Sequence, residues 1–454
     1  MTDIIKLKKG FNINLAGKAD KKISGTPLPQ TYAIRPSDFH DILRPKALVN
    51  VGDTVKAGTP ILIDKLKDHI KFTSPVSGEV VEVNRGEKRK LIEIVILADN
   101  KNEYEKFPSY SVSEITTLSK ETALEAMLAS GVWPNIIQRP FGVIADPKDT
   151  PKSIFISAFD THPLAPDYDF LLKGQEKYFQ AGLDILKKFT SGQIYLNINA
   201  DSEVSPLFSK AQGVKITAFS GPHPAGNVGV QIHKLDPISK GDIIWTVNPV
   251  GVTQIGKLFL EGVYDSSKLV ALVGSEVKEP QFYRTFSGGC IEKMVENNVT
   301  GGDLRFISGN VLTGQKIARN GHLGFYDNMV TVLPEGGKFE FLGWIRPISN
   351  RISFHRAVGL FSFLNPNKEY RLDTNTRGEA RPFVQTGIFE KVTPMDILPT
   401  YLLKAILVED FDEMEALGIY EVVEEDLALC EFVDVSKHDV QEILRRGINL
   451  IQYS

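Results

Sequence analysis

The segment Phe219 to His233, FSGPHPAGNVGVQIH, gathers residues whose types and spacing could build a site. Gly221, Pro222, Pro224, Gly226 and Gly229 shape its backbone, because glycine reaches conformations closed to other residues and proline fixes φ. His223 and His233 add imidazoles, groups that hold metals, move protons or donate to a ligand oxygen. A second loop, Asp160 to Pro166, carries His162. These three histidines lack H-E-x-x-H spacing and have no cysteine nearby, so they read as loop or core histidines, and no metal ligand is assigned. The glycines do not fall at the G-x-G-x-x-G spacing that brings backbone against a pyrophosphate, and no P-loop lysine motif occurs. A nucleotide or nicotinamide site of the usual kind is therefore not expected.

Two other sets of reactive side chains need a reading. Cys290 and Cys430 are the only cysteines, which excludes a disulfide scaffold and any iron–sulfur cluster held by four cysteines of this chain alone. No base is identifiable beside Cys290, so it reads as packing and not as a nucleophile. Lys65, Lys67 and Lys71 lie on a charged turn between two β-rich segments. The VxxGDxVxxGxxIL pattern from Val49 and the SPxSGxVxxV pattern from Ser74 resemble the two halves of a biotinyl/lipoyl sandwich barrel. In such carriers a lysine on that turn is modified. Here the flanking methionines of biotin carriers are absent and Asp64-Lys65 matches a lipoyl site only in part, so the barrel is expected to be a scaffold.

The elements that must position these residues follow from length and pattern. At about 150 residues per domain, 454 residues suggest about three domains. A net charge of −4 gives no electrostatic case for nucleic acid. No apolar run reaches the roughly 18 residues of a membrane span, and the N-terminus lacks a signal-peptide core. Membrane attachment is expected to go through a partner.

The expected architecture is α/β multidomain. Residues 1–100 hold the sandwich barrel, and residues 98–118 read as a polar connector. Residues 101–262 form a Rossmann-like α/β domain, in which short apolar strands at 153–158, 193–198 and 214–219 alternate with helices, one of them running from Asp169 to about Phe189. That order implies a parallel sheet with crossover helices. Ligands on such sheets bind beyond the carboxyl ends of the strands, where the His162 and His223 loops fall. Val228 to His233 reads as a further extended run, and 239–262 as β-rich or mixed. Residues 263–380 carry a β-grasp unit resembling the SLBB type, followed by an aromatic stretch (Phe325, Tyr326, Phe339, Phe341, Trp344, Phe354, Phe361, Phe363) with a Gly-Gly turn at 336–337. Residues 365–382 read as an exposed loop. Residues 381–454 form an acidic helical bundle.

This order of modules resembles the flavoprotein subunit of respiratory complex I and the C subunit of the Rnf complex. In detail the chain resembles more closely the A-subunit family of sodium-translocating NADH:quinone reductases, through GPHPAGNVGVQIHKLDP at 221–237, ISGNVLTG at 307–314, DNMVTVLPEGGKFEFLGW at 327–344, DILPTYLL at 396–403 and LGIYEVVEEDLALCEFV at 417–433. It departs from the flavoproteins where they carry cluster cysteines: Cys430 stands alone, with Asp434 four residues on. The resemblance implies a peripheral protein on the cytoplasmic face of a bacterial inner membrane, associated with quinone reduction and docked to an integral-membrane subunit. FAD, FMN and the iron–sulfur centre would be carried by partner subunits, with none bound by this chain and no catalytic residue of its own. A quinone site needs an apolar slot and donors for its carbonyl oxygens. The expected contacts are His162, Gly221, Pro222, His223, Pro224 and Gly226. Two alternatives stand beside this one: an NADH-oxidising flavoprotein subunit of the Rnf or complex I type, and a carrier modified at Lys65 or Lys67.

Overall fold

Short β-branched runs broken by Gly-Asp and Ala-Gly turns fold as two small sheets facing one another. A computed structural model describes residues 4–99, 101–337, 352–354, 367–383 and 386–453. In the barrel, one sheet orders Thr31–Ile34, Leu91–Ala98, Gly78–Arg85 and Thr54–Val55, and the other orders Pro45–Ala47, Pro60–Asp64 and Lys71–Thr73. Ile61, Leu62, Phe72, Val80, Ile94 and Ile96 fill its interior. The lysine-bearing turn is tied down. The Asp64 carboxylate accepts the backbone N–H groups of Leu43, Arg44 and Leu66, and Lys67 Nζ donates to Asp41 at 2.7 Å. Lys65 remains exposed.

A seven-stranded sheet forms the second layer, in the order Ile4–Lys6, Lys215–Ser220, Gln193–Asn199, Ser153–Ser157, Ile244–Val247, Ile136–Arg139, Val143–Ile144. The five strands from Ile4–Lys6 to Ile244–Val247 run parallel, as the strand–helix alternation requires. The last two pair antiparallel at the edge. The first strand of the chain thus leaves the barrel segment and extends the α/β sheet.

Two local expectations are overturned, for 228–233 and 169–189, and two are made finer, for 239–262 and the connector. Val228 to His233 is not extended but lies in a helix, Val228–Leu235. Its alternating β-branched residues mislead because Gly229, Val230, Gln231 and Ile232 are all buried, so the period carries no information about one face. The 239–262 stretch is a strand, Ile244–Val247, followed by a long helix, Pro249–Glu261. Asn248 caps that helix by accepting the Gly251 N–H at 2.7 Å, and Gly262 ends it in the left-handed region. The helix expected from Asp169 to Phe189 is split into Tyr168–Leu171 and Glu176–Leu186, because Gly174 between them has φ +79°. The connector contains a short helix, Val112–Thr117, opened by a Ser111–Glu114 capping box.

A five-stranded sheet follows, ordered Gln281–Phe286, Ser267–Val273, Met329–Pro334, Leu304–Ser308, Gln315–Ile317, with the short helix Glu292–Val295 packed on it through Met294 and Val295. The second strand of the Gly-Gly hairpin, with Phe339, Phe341, Trp344, Phe361 and Phe363, lies outside the described residues. Residues 367–382 are a mostly exposed loop, as expected, anchored at one point where Tyr370, 3% exposed, bridges to Leu15. Five helices close the chain: Phe389–Val392, Pro399–Val408, Phe411–Ala416, Glu424–Val433 and Val440–Gln452.

Helices Glu176–Leu186 and Pro249–Glu261 cross at two glycines. A Cβ on Gly256 would lie 1.8 Å from the Tyr178 carbonyl oxygen, and one on Gly182 would lie 2.0 Å from that of Val252. Helix propensity alone would make Gly256→Ala stabilising by up to about 1 kcal/mol. The backbone contact reverses the sign, and a loss of about 1–3 kcal/mol is expected from forced separation of the helices. Urea unfolding of the variant measures this; an unchanged or raised midpoint would contradict the close approach.

Candidate functional site

The parallel strands of the large sheet end at a cavity of about 490 Å³. All four modules contribute to its wall. Ser157, Phe159, Asp160 and His162 come from one strand end, and Thr246, Val247 and Asn248 from the next. Gly226 and Asn227 stand at the start of helix Val228–Leu235. The barrel segment adds Asp38 and His40, the five-stranded sheet adds Ser308 and Gly324 to Asp327, and the helical region adds Val423, Glu424, Glu425 and Arg445. The cavity therefore sits where the topology of a parallel sheet places a ligand.

Its most buried charge is Arg139, 3% exposed at the end of strand Ile136–Arg139, next to the sheet edge. Nη1 donates to Asp426 at 2.9 Å and Nη2 to Glu425 at 2.5 Å. Burial alone would lower the Arg139 pKa, but Asp426 and Glu425 more than offset it and leave it raised. Glu425 is itself raised by burial, against the pull of Arg139. Asn227 Nδ2 donates to the Glu425 carbonyl at 2.8 Å, and Arg445 pairs with Glu424 and donates to the Phe141 carbonyl at 2.9 Å. Gly229 is obligatory here, since a Cβ would lie 2.3 Å from Asp426 Oδ1. These contacts hold the helical region against the strand ends.

The two histidine loops meet. His162 Nδ1 lies 2.6 Å from Asp160 Oδ1, and the His162 and His223 rings are 4.6 Å apart. Burial would lower the His162 pKa, but the Asp160 carboxylate reverses this and raises it. Asp160 is correspondingly held low by His162, although burial opposes this. His223 is pushed well below the usual imidazole range by burial and by the charge on His162. Its Nδ1 is 3.1 Å from Thr161 Oγ1, which also accepts the Gly226 N–H at 2.9 Å and so links the two loops. The outer Nε2 atoms of both rings have no protein partner among the described residues.

Of the residues expected from sequence, His162 and Gly226 border the cavity, and His223 lies directly behind His162. Gly221, Pro222 and Pro224 do not border it. Gly221 and Pro222 instead receive the N-terminal segment: a Cβ on Gly221 would lie 2.5 Å from the Leu7 carbonyl oxygen, and one on Gly10 would lie 3.0 Å from Pro222 Cγ. His233 is occupied elsewhere. Its Nε2 accepts the Asp396 N–H at 2.9 Å, so its Nδ1 carries the proton toward Glu421, 2.6 Å away. Sequence reasoning misses Arg139, Asp38, Tyr168, Asn227 and Glu425. Arg139 does leave a signal, a charged residue closing the short strand-like run Ile136-Ile137-Gln138, but its partners lie far along the chain.

Asp38 lines the cavity from the barrel segment, and Lys268 lies near it without bordering the cavity. Burial pushes the Asp38 carboxyl up to about 6, although Arg35 lies 3.0 Å away, and burial lowers Lys268 to about 8. Lys268 Nζ donates to the Phe325 and Asp327 carbonyls at 2.9 and 2.7 Å. The cysteines are buried and apart from this site, and burial pushes the Cys430 thiol up to about 12. Among the described residues no group of three or more His, Cys, Asp or Glu side chains could hold a metal ion, and no helix is long and apolar enough to cross a membrane.

Comparison with known proteins gives the chain its relatives. Residues 5–99 match the NqrA N-terminal barrel-sandwich hybrid domain, residues 118–264 the NqrA second alpha/beta domain, and residues 269–319 the NQRA C-terminal domain of SLBB type. The chain is 38% identical over 451 residues, 99% of each chain, to the A-subunit of the Na(+)-translocating NADH-quinone reductase from Alcanivorax borkumensis. It is 37% identical over 453 residues, again 99% of each, to that of Serratia proteamaculans. Among solved structures, an air-oxidized NAD+-reducing [NiFe]-hydrogenase aligns over 76% of this chain and 64% of its own, at 12% identity and a TM-score of 0.39, too low to bear on the fold. With near-complete coverage by named relatives and all three domain types in order, the chain belongs to the A-subunit family of the Na(+)-translocating NADH-quinone reductase, a component of a sodium-pumping oxidoreductase complex.

Proposed function

We propose that the chain is the peripheral subunit serving the quinone side of this pump, and that its cavity receives a quinone ring. It would be held at the cytoplasmic face of the membrane by an integral-membrane subunit, with FAD, FMN and the iron–sulfur centre on partner subunits. The observation that carries the reading is the cavity itself. It lies at the strand ends, takes Phe159 and Phe325 as aromatic walls, and includes a histidine whose outer nitrogen has no protein partner among the described residues. A quinone carbonyl is an acceptor and needs a donor. With Nδ1 engaged by Asp160, the outer nitrogen of His162 carries a hydrogen only when the ring is an imidazolium. The raised pKa of His162 favours that form. Gly226 and the Thr161 hydroxyl hold the two loops in register, and His223, Gly221, Pro222 and Pro224 support them from behind.

Two measurements test this. A photoreactive quinone added to the chain is expected to label peptides containing Phe159 to His162 or Phe325 to Tyr326, in competition with unmodified quinone. His162→Ala should weaken that binding about tenfold, the equivalent of one hydrogen bond to a charged donor. Labelling confined to other surfaces would remove the cavity from consideration. The second measurement is pH dependence. Because the His162 pKa is raised, the donor is fully present below the ordinary imidazole value of 6.5 and is lost as pH rises through the raised one. Quinone affinity should therefore fall with rising pH in the parent chain and stay flat in His162→Gln; parallel profiles would exclude His162 as the donor.

A further inference from the structure

The helix Pro399–Val408 has two unlike faces. Leu402, Leu403 and Ile406 are buried, and Gly447 of the last helix packs on Ile406, where a Cβ would lie 2.6 Å from Cγ1. The opposite face is apolar as well, yet exposed. Leu398 is 48% exposed, Tyr401 50%, Val408 75% and Phe411, just past the helix end, 40%. Leu398, Tyr401 and Val408 follow one another at helical spacing, so they form a stripe, and Lys404 lies along it with its Nζ 5.9 Å from the Tyr401 ring. Scattered exposed apolar residues are ordinary, but a run of them along one helix marks a contact surface.

The charges around this stripe choose its occupant. Glu409, Asp410, Asp412 and Glu413 follow within one turn of its end and are all exposed. Glu409 is paired with Arg446, and the Asp410 carboxylate accepts the Glu413 N–H at 3.1 Å. Asp412 and Glu413 make no ion pair with any described residue. An anionic phospholipid surface is repelled by such a rim. A two-fold contact between copies of the chain places the same patch on both sides of the interface and crowds like charges together. A protein segment with an apolar stripe flanked by lysine or arginine satisfies both the apolar face and the acidic end.

We propose that this face is the docking surface for a basic amphipathic segment of another subunit of the same complex. The proposal needs only the membership of the chain in a multisubunit reductase and is independent of the quinone reading. The two native cysteines are buried, so Val408→Cys introduces a single accessible thiol. Its reaction with a maleimide is expected to be about tenfold slower in the assembled complex than in the isolated chain, as for a residue at the centre of an interface. A photocrosslinker on the same thiol should join a partner-subunit peptide that contains apolar residues and lysine or arginine. Reversing the rim, Asp412→Lys with Glu413→Lys, should lower retention in the complex about tenfold while leaving the melting temperature of the isolated chain unchanged. Equal maleimide rates in complex and isolated chain would overturn the proposal. Protection of the isolated chain by vesicles of phosphatidylethanolamine and phosphatidylglycerol would assign the face to the bilayer instead. Protection that grows with the concentration of the chain alone would assign it to a second copy, and undiminished retention of the charge-reversed variant would exclude a basic partner.

Discussion

Arg139 is buried at the end of the next-to-last strand of the large sheet, and its charge is met by carboxylates 287 and 286 residues further along the chain. A guanidinium without such partners in a dry interior is strongly disfavoured, and removing one member of a buried pair typically costs about 3–5 kcal/mol. The helical region is therefore not free to take any position over the strand ends. Asp426 must approach Arg139, and Gly229 is the residue that lets it do so, since any side chain there would occupy the space of the carboxylate. Asn227 and Arg445 add hydrogen bonds around this contact. The cavity is what remains between the sheet and the helices once the pair has set their separation.

At its wall, His162 and the His223 behind it illustrate how one environment shifts two imidazoles in opposite directions. They face each other at 4.6 Å, a distance at which two imidazoliums repel strongly in a poorly hydrated wall. The carboxylate of Asp160 settles which of them is charged. Burial disfavours a charge on either ring, but the Asp160 carboxylate raises the proton affinity of His162, while burial and the charge of His162 lower that of His223. Gly-rich loop chemistry, which the sequence makes conspicuous, turns out to serve the support of this arrangement: Gly221 and Pro222 receive the N-terminal segment, and Gly226 alone among them reaches the cavity.

What could be read from the chain by itself was what depends on neighbours in sequence. The barrel follows from its turns, the parallel sheet from alternating strands and helices, and the four longer C-terminal helices from their spacing. The strand ends that carry His162 and Gly226 were legible for the same reason. Hidden features were those decided by distant residues. The helix Val228–Leu235 has a strand-like pattern because four consecutive residues, Gly229 to Ile232, are buried, and the helix Pro249–Glu261 was obscured by glycines such as Gly256, which its packing partner demands. Arg139 could be seen as a charge closing a short strand-like run, but nothing nearby tells that Glu425 and Asp426 answer it. Histidine roles split in the same way: His233 reads as a loop or core histidine in sequence, and only the fold reveals that Glu421 and Asp396 occupy both of its nitrogens.

The strand Ile4–Lys6 pairs with Lys215–Ser220 and makes the outer edge of the large sheet. This has a bearing on biosynthesis. When these residues leave the ribosome they have no strand to pair with until more than two hundred others have followed, so this edge of the sheet stays open while the intervening chain emerges. The far helices impose a longer delay, because Arg445, in helix Val440–Gln452, is part of the cavity wall. A chain cut short before that helix lacks part of the cavity wall, and the wall is complete only once the helix has emerged and docked.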